Sequence, residues 1–241
     1  CLTAPSSERS LVRSVSCIRE TEQGFVNALM DEDDSIIRSS FLYFIEEDGT
    51  KVKSFSSAVY EAYMEAIGES AGYPTEKSKM TFRYSGKPGE YENVSLVDVL
   101  DGTVPPEAFN DCIVLVGAYS QGFMDAYFVP VDRSAQMYGV EIHANVIQAL
   151  LESKTLTRVP VVAEAVITAL VMVVLVLFCE RLSVGKIAVI CCVLVILKIT
   201  EGAVLFRSGY AGNVLVLPVM TVTVGIYTIG IQYYRARKAK Q

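Results

Sequence analysis

Three polar residues with the side chains of a reactive site lie within five positions: Glu141, His143 and Asn145. A carboxylate, an imidazole and an amide together could bind a metal ion or transfer protons. His143 is the only histidine among the 241 residues, so a helical zinc pair with ligands four positions apart is not possible. The six cysteines show no Cys-x-x-Cys spacing, which argues against a zinc site or a disulfide framework. We therefore predict no metal site, no cofactor and no catalytic residue.

The sequence around these residues favours a helix that begins near Gly139. Apolar residues recur at helical spacing and predict a buried stripe, formed by Val140, Ala144, Ile147 and Leu151. Gly139 permits a tight backbone turn from the preceding loop into the helix. Glu141 in the first turn suits the positive end of the helix dipole. On this helix Glu141 and Asn145 share a face, whereas His143 lies about 200° around the axis from Glu141. This separation favours a structural role over a catalytic cluster.

Two interpretations of the cluster stay open. In the first, His143 and Asn145 satisfy backbone groups of the loop that carries Asp125 and Pro130. In the second, that loop and the helix start form a ligand pocket, in which backbone N–H groups hold an anion. A histidine in such a pocket could also make the domain sensitive to pH.

The composition divides the chain into an acidic part and an apolar part. Overall, 51% of residues are hydrophobic and the mean hydropathy is +0.37, which suggests a membrane-embedded portion. Residues 1–159 carry 13 Lys/Arg and 24 Asp/Glu, a net charge of −11, whereas residues 160–241 carry 8 and 3, a net +5. An acidic domain beside a basic membrane end argues against nucleic-acid binding.

Three apolar runs predict three transmembrane helices, over about 161–178, 187–206 and 214–234. Each is close to the ~20 residues that cross a ~30 Å hydrocarbon core. The tail 235–241 contains four Lys/Arg, which predicts a cytoplasmic carboxyl end. Residues 1–159 then lie outside a multi-pass protein of the plasma membrane.

The second predicted span contains two opposite charges, Lys198 and Glu201. Residues three positions apart share a helix face, so the two side chains can neutralise each other. The alternative is an interhelical contact that carries a signal, because charges within a span are often functional.

The outer part alternates strand and helix patterns. Strands are predicted over 39–47 and 79–86, with helices over 54–70 and 95–102. The first helix is expected to use Ser56 or Ser57 as its N-cap and to bury the stripe Val59, Tyr63 and Ile67. The apolar run 111–119 is typical of a strand covered on both faces, with a ligand-binding loop following its carboxyl end. These patterns predict an α/β extracellular domain, a mixed sheet with flanking helices, followed by three transmembrane α-helices.

The later motifs resemble one known family. The stretches NDCIVLVGAYSQGFMDAYFVPVD and YGVEIHANVIQALLESKTLTRVP, followed directly by three apolar runs, are similar to the second type of CHASE domain, the cyclase/histidine-kinase-associated sensory extracellular domain. DEDDSIIRS looks like the family's Asp-x-Asp-Gly-x-x-Arg turn, and FRYSGKPGEYENVSLVDVLDG looks like its strand, loop and short helix. The resemblance covers about 24–234. Asp34-Ser35 stands at the turn where the family has Gly, and Asp125 to Pro130 departs from its Asp-x-x-x-Thr-Pro pattern.

The resemblance implies a domain organisation and a sensory function. We expect an irregular lead-in over 1–23, a CHASE-type domain over 24–159 without its usual amino-terminal part, three spans within 160–234 and a basic tail. The chain would anchor a bacterial receptor that is a homodimer in the lipid bilayer, sense an unknown extracellular stimulus and control a cyclase or protein kinase that this chain does not contain. The chain itself is then not an enzyme. The alternatives are a membrane-anchored interaction protein without its own output and an ectoenzyme.

Overall fold

The computed structural model describes residues 22–75, 77–179 and 182–238, so most of the predicted lead-in lies outside the described residues. The chain divides into two compact units, Cys1–Thr155 and Leu156–Gln241. The first unit corresponds to the predicted outer domain, and the second contains the three apolar runs.

Short strands and three helices build the first unit. Their order is β1 (Leu29–Met30), β2 (Ile37–Phe41), β3 (Tyr43–Ile45), β4 (Lys51–Lys53), α1 (Phe55–Ala66), β5 (Lys79–Phe82), α2 (Leu96–Leu100), β6 (Ala126–Val129), β7 (Asp132–Tyr138) and α3 (Gly139–Leu151). β2 pairs with both β1 and β5 in antiparallel register, and β3 and β4 form a separate hairpin. A parallel bridge joins Phe25 to Ser54. The predicted mixed α/β class is confirmed.

The core of this unit lies between the sheet and helix α3. β2 alternates buried and half-buried side chains, which is the pattern of a strand with one face against a core. The buried apolar residues are Ile37, Leu42, Tyr60, Met80, Phe82, Tyr84, Val129, Met137, Ile142, Val146, Ala149 and Leu150. On the same strand the Oγ of the buried Ser39 lies 2.9 Å from Oγ1 of the half-buried Thr81 on β5, so the two hydroxyls pair across the ladder.

Helix α1 begins at Phe55, one position before Ser56, which is the first of the two serines predicted as its N-cap. Ser54 is the N-cap, and its Oγ accepts a hydrogen bond from the backbone N–H of Ser57 at 3.2 Å. The predicted caps and stripe were wrong. Tyr63 and Ile67 are exposed, whereas the buried side chains of the helix belong to Ser56, Ser57, Ala58 and Tyr60. The buried face is polar because each serine has a hydrogen-bond partner, which removes most of the cost of burial.

The apolar run 111–119 is not the buried strand that its sequence predicts. Residues 112–119 have no regular secondary structure and pair with no strand among the described residues. Ile113 and Leu115 are half-buried, while Val114 and Val116 are 53% and 77% exposed. An apolar run specifies an extended segment, whereas a sheet position also requires neighbouring strands, and sequence alone does not supply them.

The segment after this run is a hairpin and not a long loop. β6 and β7 pair in antiparallel register, with Val129 opposite Asp132, so Pro130 and Val131 form the turn. Proline presets the backbone for such a turn, and the aromatic and β-branched residues before it favour a strand. Pro130 therefore lies at the hairpin tip, at the far end of the ladder from the Ala126–Tyr138 pair.

The turn between β1 and β2 shows why the family pattern has a glycine at the position of Ser35. Ser35 adopts φ +57°, in the left-handed region where a Cβ is disfavoured. Arg38 holds the same turn closed, because its guanidinium donates to both carboxylate oxygens of Asp34 at 2.8 and 2.6 Å. This hydrogen-bonded ion pair lowers the pKa of Asp34 to about 2.

We expect Ser35→Gly to stabilise the first unit by about 0.5–1 kcal/mol, because glycine adopts this conformation without steric cost. Thermal unfolding of the full chain in lipid nanodiscs measures the change. Ser70→Gly is the control, since Ser70 is exposed and has no positive φ, and there glycine should be neutral or destabilising. Equal effects of the two substitutions would contradict the explanation.

Three helices make up most of the second unit. A strand, β8 (Thr155–Arg158), precedes α4 (Val161–Cys179) and α5 (Val184–Arg207), and β9 (Tyr210–Ala211) separates α5 from α6 (Val216–Lys238). Two helices are long and apolar enough to cross a membrane, over Val184–Arg207 and Val216–Arg235. The first predicted span forms α4, whose apolar stretch Val161–Leu177 is shorter than that of a candidate span.

The ends of these helices are held together. β8 and β9 pair in parallel, with Thr157 opposite Tyr210 and Arg158 opposite Ala211. In the first turn of α4, Glu164 Oε1 accepts a hydrogen bond from Asn213 N–H at 2.8 Å. At the other end of the unit, Gln232 on α6 donates to the carbonyl of Leu182 before α5 at 3.0 Å. The start of α4 and the α5–α6 connection therefore lie together, as do the α4–α5 connection and the end of α6.

Candidate sensory site at the start of helix α3

The carboxylate of Glu141 closes the amino-terminal end of helix α3. Glu141 is 4% exposed, and its Oε2 accepts from the backbone N–H of Tyr138 at 3.2 Å. Its Oε1 accepts from Gly89 N–H at 2.7 Å. A negative charge is favourable at this end of a helix, so burial of the carboxylate is balanced by two hydrogen bonds and the helix dipole. Glu141 thereby fixes the loop after β5 to α3.

Asn145 fixes the same loop one turn further along. Its side chain is fully buried, and Oδ1 accepts from the backbone N–H groups of Ser85 and Gly86 at 2.9 and 3.0 Å. Its Nδ2 donates to the carbonyl of Glu141 at 3.0 Å. The amide therefore has partners for both its oxygen and its nitrogen, as a buried polar group requires.

The start of the helix also packs against Asp125. Gly139 N–H donates to the Asp125 carbonyl at 2.9 Å, and the Asp125 carboxylate lies where a Cβ of residue 139 would be. Any larger residue here would therefore force the Asp125 carboxylate to move, although the backbone of Gly139 is helical. The same carboxylate lies near the phenol of Tyr127, and burial together with Asp125 raises the pKa of Tyr127.

His143 projects from the other side of the helix, as its spacing from Glu141 predicts. Its Nδ1 lies 2.8 Å from Ser56 Oγ on α1. The ring also packs edge-on against Phe55, with centroids 5.2 Å apart and ring planes 78° apart. The backbone of Val26 also lies near the ring. One side of α3 thus holds the loop after β5, and the other holds α1 and the segment before β1.

The predicted apolar stripe of α3 was wrong in its position. Leu151 is 38% exposed and Val140 and Ala144 are half-buried, so of the four predicted residues only Ile147 is buried. The buried apolar residues are instead Ile142, Val146, Ala149 and Leu150, with Ile147. The shift follows from the contacts of Glu141 and Asn145, which bring a polar face into the interior.

Of the predicted site residues, the structure brings together Asp125, Gly139, Glu141, His143 and Asn145. Pro130 lies apart from them at the hairpin tip. The residues that sequence reasoning missed are the partners: Ser56, Ser85, Gly86 and Gly89. The glycines of the Ser-Gly-Lys-Pro-Gly segment indicate a turn, but no sequence signal connects that turn to α3.

Lys198 and Glu201 pair within α5 of the second unit. Lys198 Nζ lies 3.2 and 3.3 Å from the two carboxylate oxygens of Glu201. The lysine side chain is 12% exposed and the glutamate side chain 53% exposed. Within α5 the two charges therefore lie close enough to neutralise each other, and an interhelical contact that carries a signal stays a prediction.

The chemistry available at the site is limited. Ser56, His143 and Asp125 are the residue types of a nucleophilic triad, but Ser56 is completely buried, and a substrate must reach a nucleophile. No group of three or more His, Cys, Asp or Glu side chains among the described residues could hold a metal ion. At this site the start of one helix connects several segments. We call the five residues that make these contacts the joint: Asp125, Gly139, Glu141, His143 and Asn145.

Comparison with known families identifies the domain. The sequence profile of the CHASE2 domain matches residues 4–178, which is most of the chain. The chain belongs to the CHASE2 family. No curated protein and no solved structure shows significant similarity to it.

CHASE2 is a sensory extracellular domain of signalling receptors and is not catalytic, in agreement with the predicted class. The CHASE2 match contains the whole start of α3 and reaches into α4, so the joint lies inside the domain that defines the family.

Proposed function

We propose that the chain is the sensory and membrane-anchoring part of a bacterial receptor. The CHASE2 domain lies outside, three helices cross the membrane, and the carboxyl end is cytoplasmic. The receptor acts as a homodimer and controls a cyclase or protein kinase in the cytoplasm. The observation that carries this proposal is the CHASE2 match, which ends within the first of three consecutive apolar helices.

The pairing within the second unit supports three crossings. If α4, α5 and α6 all cross, the start of α4 and the α5–α6 connection must lie on one side, and the α4–α5 connection and the end of α6 on the other. The β8–β9 pair and the Glu164–Asn213 hydrogen bond join the first two, and the Gln232–Leu182 hydrogen bond joins the second two.

The surface of the helices also supports insertion in lipid. Many large apolar side chains of the second unit are more than half exposed, among them Val162, Leu170, Val189, Leu197, Val219 and Ile226. A soluble protein would bury such residues, whereas hydrocarbon solvates them. Basic residues lie at the end of α6, including Arg235, Arg237 and Lys238, and favour a cytoplasmic location.

We expect a fusion to report on both topology and signalling. Residues 1–241 are joined to the catalytic domain of an adenylate cyclase that works only as a dimer, in bacteria without their own cyclase. Because ATP is cytoplasmic, cyclic AMP should form. A matched fusion after Arg207, at the end of α5, should form none, because its carboxyl end lies outside.

Signalling is tested with the same fusion by a change in the outer domain. Asn145→Ala should change cyclic AMP formation per molecule of protein, because it loosens the joint, whereas Asn93→Ala at an exposed position should not. If cyclic AMP forms but no change in the outer domain alters it, the chain is an anchor for interactions and not a sensor. Activity of the fusion after Arg207 would reverse the topology.

A further inference from the structure

Helices α4 and α6 form a groove between them, which we call the α4–α6 groove. It has a volume of about 240 Å³, and Val176 lines it from α4. Its other lining residues belong to α6 and recur at helical spacing, so they share one face of that helix. They are Val224, Tyr227, Thr228, Ile231, Gln232 and Arg235. The groove therefore follows α6 for about three turns, up to the basic end of the helix.

The polarity of this face of α6 rises along the helix. It begins at the apolar Val224, and Thr228 Oγ1 donates to the Val224 carbonyl at 2.8 Å, so this hydroxyl already has a partner in its own helix. Gln232 donates to the carbonyl of Leu182 at 3.0 Å. The face ends at the exposed guanidinium of Arg235. An apolar wall with a cation at one end fits an amphiphile that lies along the helix with an anionic group at that end.

The charge at this end of the groove is not neutralised by the described carboxylates of the second unit. These carboxylates are Glu164, in the first turn of α4, and Glu201, in the last two turns of α5. Both lie toward the opposite end of the unit from Arg235. Arg237, in the same last turn of α6, adds positive charge. A guanidinium can bind a phosphate through two parallel hydrogen bonds, so a phosphate is the anion that suits this position.

The length of the groove matches one leaflet of a bilayer. Val224 and Arg235 lie about 16 Å apart along α6, at about 1.5 Å per residue. One leaflet is half of a ~30 Å hydrocarbon core. A second depression, of about 270 Å³, shares Val176 with the groove. Its other lining residues are apolar and belong to α4: Met172, Val173 and Leu177. A phospholipid carries two acyl chains, and the two depressions offer a wall to each.

We propose that the α4–α6 groove binds one anionic phospholipid, with its phosphate at Arg235 and its acyl chains along α6 and α4. The lipid belongs to the cytoplasmic leaflet under the proposed topology, on which this inference rests. Contact with hydrocarbon does not select a lipid, because all lipid tails are equally apolar. The headgroup provides the selectivity: basic pockets between transmembrane helices favour a phospholipid with a net negative charge over one whose phosphate is neutralised by its own ammonium.

Native mass spectrometry of the full chain in a neutral detergent tests this inference. Phosphatidylglycerol and phosphatidylcholine with identical acyl chains are added at increasing concentrations, and the lipids bound per chain are counted. We expect one phosphatidylglycerol per chain to bind at a concentration at which phosphatidylcholine does not. Glycerol phosphate, which has the phosphate but no acyl chain, should not displace it. Displacement at equal concentration would show that the site binds phosphate alone, and would overturn the lipid site.

Two pairs of variants locate the bound lipid. Arg235→Gln should weaken phosphatidylglycerol binding about fivefold, which is the effect of one cation near an anionic lipid. Arg237→Gln removes the same charge from an exposed position outside the groove and should have less than half of that effect. Val176→Phe fills the point where the two depressions meet and should weaken binding at least as much as Arg235→Gln. Val174→Phe adds the same ring at an exposed position outside both depressions and should leave binding unchanged.

The fold of each variant is checked by its unfolding temperature in lipid-free detergent, which should equal that of the unaltered chain because all four positions are at least partly exposed. The comparison of the two lipids needs no variant. Equal weakening by Arg235→Gln and Arg237→Gln contradicts the proposal, because binding would then follow net charge alone. Unchanged binding in Val176→Phe contradicts it as well, because the groove would then not be the site.

The outcomes separate this inference from the proposed function. If phosphatidylglycerol binds as expected but the cyclase fusion after Arg207 is the active one, the lipid site stands and the proposed topology fails. If both fusions behave as proposed but the chain retains the two lipids equally, the receptor proposal stands and the lipid site alone fails.

Discussion

Replacing Asn145 with alanine should lower the stability of the first unit by about 2–4 kcal/mol. The substitution leaves the N–H groups of Ser85 and Gly86 without their acceptor and opens a cavity in a fully buried position. For a chain of this size the unfolding midpoint should fall by roughly 5–15 °C, measured by circular dichroism of the full chain in nanodiscs.

Two further substitutions identify the cause of that loss. Asn145→Leu keeps the branched shape and the number of side-chain heavy atoms but removes the acceptor, so it should remain strongly destabilising if the hydrogen bonds dominate. Asn93→Ala changes an exposed asparagine and should shift the stability by less than about 0.5 kcal/mol. An effect of Asn145→Ala as small as that of Asn93→Ala would show that the loop after β5 does not depend on this amide.

Replacing Gly24 with alanine should have the second large effect. A Cβ at this position would lie 2.5 Å from Phe55 N and 2.6 Å from Phe55 Cα, and backbone atoms cannot rotate away. The segment must therefore move off α1, which endangers the hydrogen bonds from Phe25 N–H to Lys53 at 3.2 Å and from Phe55 N–H to Phe25 at 2.8 Å. We expect a loss of about 1–3 kcal/mol.

Amide exchange localises this effect. Phe55 N–H should exchange faster in Gly24→Ala, because its acceptor is the Phe25 carbonyl. Gly72→Ala is the matched control, since nothing lies within 4 Å of a Cβ there and its φ is not positive. If both alanine variants unfold at the same temperature, the segment at Gly24 is not tightly held against α1.

The features that could be predicted from the sequence are those with a local cause. Ser95 caps α2 through its hydrogen bond from Val97 N–H, and Gly102 follows the helix with φ +70°. α3 begins at Gly139 as expected, and His143 projects away from Glu141 because the angular spacing of a helix is fixed. Ser35, which stands where the family pattern has glycine, likewise has a left-handed backbone conformation.

The features that could not be predicted depend on partners distant in sequence. Glu141 and Asn145 are buried because backbone N–H groups more than fifty positions earlier bind them. Hydrophobic periodicity assigns polar residues to the surface. The face of α3 that it predicts to be buried therefore differs by about one position from the face that is buried in the structure. The same limit applies to Ser56, whose burial depends on a histidine 87 positions later.

The β8–β9 pair has a mechanical consequence for the helices that follow it. A piston movement of α4 alone would have to break the hydrogen bonds from Thr157 N–H to Gly209 and from Val159 N–H to Ala211, at 2.8 and 3.0 Å, and the bond between Glu164 and Asn213. A tilt or rotation of the three helices as one body breaks none of them. Any displacement of α4 along its axis therefore has to carry the α5–α6 connection with it for as long as these hydrogen bonds hold.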